Sequence, residues 1–180
     1  MAYTKTNWVD GETPITANNL NKIENQLENN TNDIEDLIAY VDNKCKNEIA
    51  TIQLTSEVSL TEGYIAFNII DSTSDKLTLS DNGIKIGSGV SKIKVSANAF
   101  GVSTSNTSYL WTQIERIRAG QKAAISIAID NTSTYFGSTA HTPILLNTQE
   151  NDIIKLYKMD NNNITIRGGA NTYLTVEVVE

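Results

Sequence analysis

The hydrophobic period of this chain changes once, near residue 50, from about 3.5 residues to about 2. The first period belongs to a helix that buries one stripe, the second to strands that bury one face. The 180 residues must therefore form two parts of different kind. Residues 17–48 contain no Gly and no Pro. Apolar side chains fall at Leu20, Ile23, Leu27, Ile34, Leu37 and Val41, spaced three, four, seven, three and four residues apart. This is a heptad seam with one place missing, and Asn30 stands there. A polar residue in a seam weakens a coiled coil but fixes its register. About thirty helical residues would extend ~45 Å. An amphipathic helix packed on its own domain is the alternative, and Ile38 and Tyr40 widen the stripe in its favour. A lone helix this polar would be marginal in water, so self-association is the expectation. The seam leaves strand number open. Leu20 with Ile23 is the order that favours more than two strands, and Ile34 with Leu37 the dimer-like order.

Ahead of the helix, residues 1–16 read as an extended leader. It holds Trp8-Val9-Asp10-Gly11, a turn signal, and then Thr13-Pro14. Thr16 is placed to cap the helix, its hydroxyl accepting from an orphan N–H of the first turn. Trp8 has no core of its own to enter. It either folds back on the helix or anchors the chain to a partner.

Residues 50–180 alternate, as in Lys92-Ile93-Lys94-Val95 and Leu174-Thr175-Val176-Glu177-Val178. Strands are expected at 50–58, 63–70, 76–80, 83–87, 91–100, 109–118, 122–130, 143–147, 152–158, 163–167 and 172–179. Turn signals separate them, among them Ser80-Asp81-Asn82-Gly83, Arg118-Ala119-Gly120 and Asp160-Asn161-Asn162-Asn163. Many one-faced strands in some 130 residues imply an antiparallel two-sheet sandwich of jelly-roll type. The expected divisions are a leader at 1–16, a coiled-coil stalk at 17–49 and an all-β head at 50–180.

Charge and composition remove several function classes. The chain has 14 Lys and Arg against 21 Asp and Glu. That balance argues against duplex nucleic acid as a partner. One Cys, Cys45, and one His, His141, exclude a disulfide framework and a Cys/His zinc site. No apolar run is long enough to span a bilayer, and no secretory signal opens the chain, so neither a membrane nor export is expected. His141, between Thr139 and Pro143, reads as a solvated loop residue. The acids of the β region, Asp71, Asp75, Asp81, Asp130, Asp152 and Asp160, sit at turns, and nothing in the sequence pairs them for glycan hydrolysis. The Asp160–Asn163 loop offers hard oxygens to a calcium ion, but its spacing matches no known loop. No metal, no cofactor and no catalysis are expected. Sugar binding is better founded, because sugar C–H faces stack on aromatic rings while hydroxyls need amide and hydroxyl partners. Residues 103–111 and 131–141 carry that chemistry. Tyr109, Tyr135, Phe136 and His141 are the candidate glycan contacts, with Trp111 read as core or axis packing.

Residues 3–27, YTKTNWVDGETPITANNLNKIENQL, resemble the N-termini of tail-fibre, baseplate and head-fibre proteins of phages that infect Gram-positive bacteria. NGIKIGSGVSKIKVSANAFG (82–101) and NTYLTVEVVE (171–180) resemble the C-terminal heads of tumour-necrosis-factor and complement-head type found in such fibres. Many relatives have Gly-Asp before the strand written here Ile153-Ile154-Lys155-Leu156, where this chain has Asn151-Asp152. The resemblance implies a ten-stranded jelly-roll head that trimerises, and so a three-stranded stalk whose seam is Leu20, Ile23, Leu27, Asn30, Ile34, Leu37 and Val41. It implies docking to a capsid or tail protein through Trp8, Val9, Asp10 and Pro14. The protein is then expected on the virion as a non-enzymatic homotrimeric fibre, its head presented to a host-surface glycan. An adaptor or capsid decoration, and more remotely a depolymerase, are the alternatives.

Overall fold

A computed structural model of the chain describes residues 16–45, 48–103, 109–131, 136–160 and 162–179. Trp8, Val9, Asp10, Pro14 and Tyr135 lie outside the described residues. The chain divides into two compact units, Met1–Lys46 and Asn47–Glu180.

In the first unit, α1 runs over Ala17–Cys45. Thr16 caps it as expected. Its Oγ1 accepts from Asn19 N at 3.2 Å, and its carbonyl accepts from Leu20 N at 3.0 Å. The residues of the apolar stripe, Leu20, Ile23, Leu27, Ile34, Leu37, Ile38 and Val41, are all exposed in the single chain.

The second unit is the head, and it is all β. Its strands are β1 (Ile49–Gln53), β2 (Val58–Leu60), β3 (Gly63–Tyr64), β4 (Ile69–Ser72), β5 (Leu77–Ser80), β6 (Gly83–Ile86), β7 (Lys92–Val102), β8 (Tyr109–Arg118), β9 (Gln121–Asn131), β10 (Phe136–Asn147), β11 (Ile153–Lys158), β12 (Ile164–Ile166) and β13 (Tyr173–Val178). One sheet has the order β2-β12-β7-β13-β1-β4, with β10 along the free side of β7. The other has the order β5-β6-β11-β8-β9, with β3 on β11. Every strand pairing among the described residues is antiparallel, for instance Val176 opposite Val95 and Leu156 opposite Ile114. The core lies between the sheets. It takes Ile52, Ile93, Val95, Leu174 and Val176 from the first and Leu77, Ile84, Ile86, Leu110, Ile114, Ile154 and Leu156 from the second. Strict alternation is clearest in β7, where every second residue from Ile93 to Gly101 is buried.

The turns follow their residues. Asp81 and Asn82 both have positive φ, 48° and 61°, as do Ala119 and Gly120, 47° and 79°. Two successive left-handed residues make the tight hairpin connection whose twist matches the strands it joins. Asn151 also takes a left-handed φ of 69°, a conformation that asparagine adopts more readily than other non-glycine residues. Gly101 is required for a different reason. A Cβ there would stand 2.6 Å from Ile164 Cγ2, where β12 crosses β7.

Two expectations change. The segment expected as one strand at 50–58 is split between β1 and β2, and that at 63–70 between β3 and β4. The strand expected at 143–147 begins seven residues earlier, at Phe136, so His141 lies in β10 and not in a loop. The inward residues of that first half are Gly137, Thr139 and His141, so no apolar alternation marks it. Pro143 sits at the bulge between His141 and Ile144, where a missing N–H does no harm.

Ala119 is the one hairpin residue poorly matched to its left-handed backbone. Ala119→Asn should stabilise the head by about 1 kcal/mol, read as a higher urea midpoint at unchanged slope.

Candidate functional site

His141 is buried, at 4% exposure, in the space between the two sheets. Its Nε2 is 2.9 Å from Thr112 Oγ1 on β8, and its Nδ1 is 2.9 Å from Ser126 Oγ on β9. Thr112 gives its own hydroxyl proton to Thr139 Oγ1 at 2.7 Å. Thr112 must then accept from the imidazole, so the proton sits on Nε2, and bare Nδ1 accepts from Ser126. Burial pushes the imidazole pKa down from 6.5 to about 4. His141 is therefore a neutral tie between β8, β9 and β10. It cannot be a solvent-facing glycan contact, which corrects the expectation.

The other sugar candidates separate onto different sheets. Tyr109 and Trp111 alternate with buried Leu110 and Thr112, and so face away from the core on β8. Trp111 lies opposite Ile129 on β9, and Gln113 opposite Ile127. Both isoleucines are more than half exposed, and Trp111 is 36% exposed. Together these residues form an apolar strip on the outer face of the second sheet. Phe136, 54% exposed, lies on the outer face of the first sheet. Its ring stacks on Phe100 with centroids 6.1 Å apart and planes 13° off parallel. Tyr109 and Phe136 thus cannot line one sugar site within a single head.

The Asp160 loop already holds a cation. Lys158 follows Ile154 and Leu156 on the inward face of β11 and is fully buried. Its ammonium donates to Thr61 O (2.5 Å), Asp160 O (2.9 Å), Asp160 Oδ1 (2.7 Å) and Asn162 O (2.7 Å). Asp160 Oδ2 accepts from Trp111 N at 3.0 Å. Both carboxylate oxygens of Asp160 are therefore engaged, and Asn161 lies outside the described residues. Among the described residues no group of three or more His, Cys, Asp or Glu gathers to hold a metal.

Three of the other turn acids are likewise committed. Asp130 accepts from Ser138 N at 2.7 Å, and Asp81 pairs with Lys155. Asp152 receives the Arg118 guanidinium in two bonds, at 2.8 and 2.6 Å. Burial alone would raise the Asp152 carboxyl. The Arg118 guanidinium and the Gln149 N–H outweigh it and hold the group below the ordinary carboxylate range.

A cluster that the sequence reading missed covers β11 on its outer side. Tyr64 donates to Glu115 at 2.7 Å, and Gln113 donates to the other oxygen of Glu115 at 2.8 Å. The ammonium of Lys155 lies 4.5 Å and that of Lys122 lies 5.0 Å from the Tyr64 ring centre. Tyr157 meets Tyr64 edge-on at 5.0 Å and donates to Glu62 at 2.6 Å, which with burial pushes its phenol up to about 12. The signal was present, since Lys155 and Tyr157 alternate with core residues of β11. The cluster is saturated by its own bonds and clamps the 62–64 segment to the sheet.

No family model and no curated protein matches the sequence. Solved structures do match the fold. Murine APRIL at pH 5.0 superposes with a TM-score of 0.63 at 11% identity, over 74% of this chain and 100% of that one. Eiger TNF from S. frugiperda gives 0.60 at 8% identity, over 74% of this chain and 93% of that one. The head is a TNF-like jelly roll.

Two measurements test these internal ties. The unfolded chain binds a proton on His141 that the fold refuses, so stability falls as pH drops from 6.5 toward 4 and levels off below. The loss over that window should be about 3 kcal/mol, and His141→Gln should abolish it. The imidazole is the only one in the chain, so its NMR titration is unambiguous. Lys158→Met would strand Asp160 and three carbonyls, at a cost of about 3–5 kcal/mol in denaturant unfolding.

Proposed function

We propose that this protein is a non-enzymatic, self-associating fibre of a phage particle, with the head as its recognition end. The observation that carries the reading is a pair of unlike apolar patches on opposite outer faces of the head. One is Phe136 with Phe100, the other Trp111 with Ile127 and Ile129. Monomers rarely expose such patches without use. Two different patches on one chain fit a head-to-tail contact that closes into a ring, rather than a two-fold contact of like with like. The TNF-like fold favours a ring of three. The exposed stripe of α1 supports the same assembly, with Leu20, Ile23, Leu27, Asn30, Ile34, Leu37 and Val41 at the seam of a three-stranded stalk.

Attachment to the virion rests on the leader motif, with Trp8, Val9, Asp10 and Pro14 as the docking residues on a capsid or tail protein. Adhesion to host-surface glycan narrows to Tyr109, Tyr135 and Phe136, since His141 is buried. Three heads would multiply a weak sugar contact by avidity. The loss of His141 as a contact favours a second reading, an adaptor or decoration whose head binds another particle protein.

Light scattering of the full chain should give a mass near three times 19.7 kDa. Phe136→Lys or Ile129→Lys, each combined with Leu27→Lys in the stalk, should reduce it to smaller species. A monomeric wild-type chain would overturn the fibre reading. A glycan array then separates the two roles of the head: retention without cleavage marks an adhesin, and no retention with capture of a particle protein marks the adaptor.

A further inference from the structure

We infer that the head carries an oxyanion-binding site at Arg116, for a phosphate or carboxylate group that is free or borne by a sugar. The site lies within one head and does not depend on the assembly proposed above.

The inward series of β8 is uncharged through Leu110, Thr112 and Ile114, and turns cationic at Arg116 and Arg118. Arg116 lies opposite Ile154 of the core on β11, so its side chain leaves the strand on the inward side. It is half-buried. Its Nη1 donates at 3.2 Å to Asn147 O, at the end of β10 in the other sheet. The guanidinium thus bridges the two sheets beyond Ile114, the last core residue of β8.

That bond leaves the group short of acceptors. A guanidinium has five N–H donors and accepts nothing. Arg116 Nε is buried, and among the described residues it is the only buried side-chain N or O atom without a hydrogen-bond partner. A buried donor left unpaired gives up its hydration with nothing in return, and a charged one gives up more.

Charge selects the kind of acceptor. Arg116 helps to hold the Asp152 carboxyl below the ordinary range, but both Asp152 oxygens are taken. Arg118 binds them in two bonds, and the Gln149 N–H adds a third. Among the described residues no carboxylate forms an ion pair with Arg116, Glu150 of the same loop included. Two arginines therefore share one carboxylate, which leaves a local positive charge in a chain whose net charge is −7. Water can accept from the spare donors but cannot balance that charge. An anion with two oxygens on one centre does both, because its spacing matches the parallel N–H pair along a guanidinium edge. Nη2 with the second Nη1 hydrogen makes one such edge. Nε with Nη2 makes the other, which comes into use when the side chain turns outward. Arg116 stands seven residues along β8 from Tyr109, ~23 Å at the rise of a strand, so the site is separate from that glycan candidate.

The test uses the full chain. It has three arginines, so their Nε–H NMR signals are assignable by substitution. The chain is titrated with sodium phosphate, a hexose phosphate, sodium glucuronate and glucose, with ionic strength held constant by sodium chloride. Thermal midpoints are read in the same solutions for the wild type, Arg116→Gln and Arg116→Lys. The expected result is a saturating shift of the Arg116 signal with each anion and none with glucose. The signals of Arg118 and Arg167, already paired with Asp152 and Glu57, should move less. Arg116→Gln should raise the dissociation constant about ten- to hundredfold and lose the anion-dependent rise in midpoint. Arg116→Lys keeps the charge without the fork and should bind with intermediate strength. Tighter binding of the hexose phosphate than of phosphate would make a sugar-borne group the ligand, and equal binding the free ion. An Arg116 signal unmoved by every anion would overturn the site, and this titration of the wild type decides the matter even where a variant fails to fold. Equal midpoint responses in the wild type and Arg116→Gln would overturn it as well.

Discussion

The head depends on one strand that is bonded on both sides and faces the core along its whole length. β7 carries β10 on one side and β13 and β12 on the other. Its eleven residues alternate without a break, so its inward side chains form a continuous floor of Ile93, Val95, Ala97 and Ala99. A slip of one residue would turn all four out to water and present Lys92, Lys94 and Asn98 to the core. The neighbours inherit their register from this constraint. β13 sets Val176 opposite Val95 and Leu174 opposite Ala97, and β1 sets Ile52 opposite Leu174. The narrowing from Ile and Val to Ala and then Gly101 along β7 makes room for Leu110 and for the crossing of β12.

Where that apolar floor thins, the fold changes its means of joining the sheets. Thr112, Ser126, Thr139 and His141 meet between β8, β9 and β10, and each hydroxyl or ring nitrogen has a partner. A satisfied polar group in a core is tolerable, and an unsatisfied one costs a kilocalorie or more, about 1–3 kcal/mol. The tie therefore specifies one mutual placement of three strands, while an apolar corner would tolerate several. Lys158, the register partner of Thr112, applies the same logic beside this tie. Its ammonium joins Thr61, Asp160 and Asn162, and Asp160 in turn holds the backbone of Trp111.

The parts of the fold that were legible in the sequence are those where one physical term dominates. The helix was visible because its apolar residues repeat on one stripe and nothing breaks it between residues 17 and 45. Most strands were visible because alternation is enforced by a core on one side and water on the other. β10 was half hidden, because its inward positions are filled by Gly137, Thr139 and His141, which serve a hydrogen-bond network and not an apolar floor. His141 was misplaced for the same reason. Its partners come from two other strands, β8 and β9, and no local pattern announces a long-range polar contact. Lys158 was readable in principle: it continues the Ile154, Leu156 series, and a lysine on an apolar face needs acceptors nearby. The Asp160 loop looked like an empty cation site because its cation is covalently part of the chain, two residues away.

The exposed apolar groups bear on assembly more than any single residue does. α1 by itself buries almost none of its stripe, and an isolated helix of its composition has little reason to stay folded. The head, in contrast, has a core of its own, yet still leaves Trp111, Ile127, Ile129 and Phe136 in water. Covering one such side chain is worth roughly 1.5–3 kcal/mol, so a contact that buries both patches would supply several times that amount. Association entropy opposes it, at an estimated 4–15 kcal/mol. In the assembly proposed above, a ring would meet that cost with a patch pair at every junction, and a stalk would add a second set of contacts at high effective concentration. Stalk and head would then support each other: contacts in one would lower the entropy that contacts in the other must overcome.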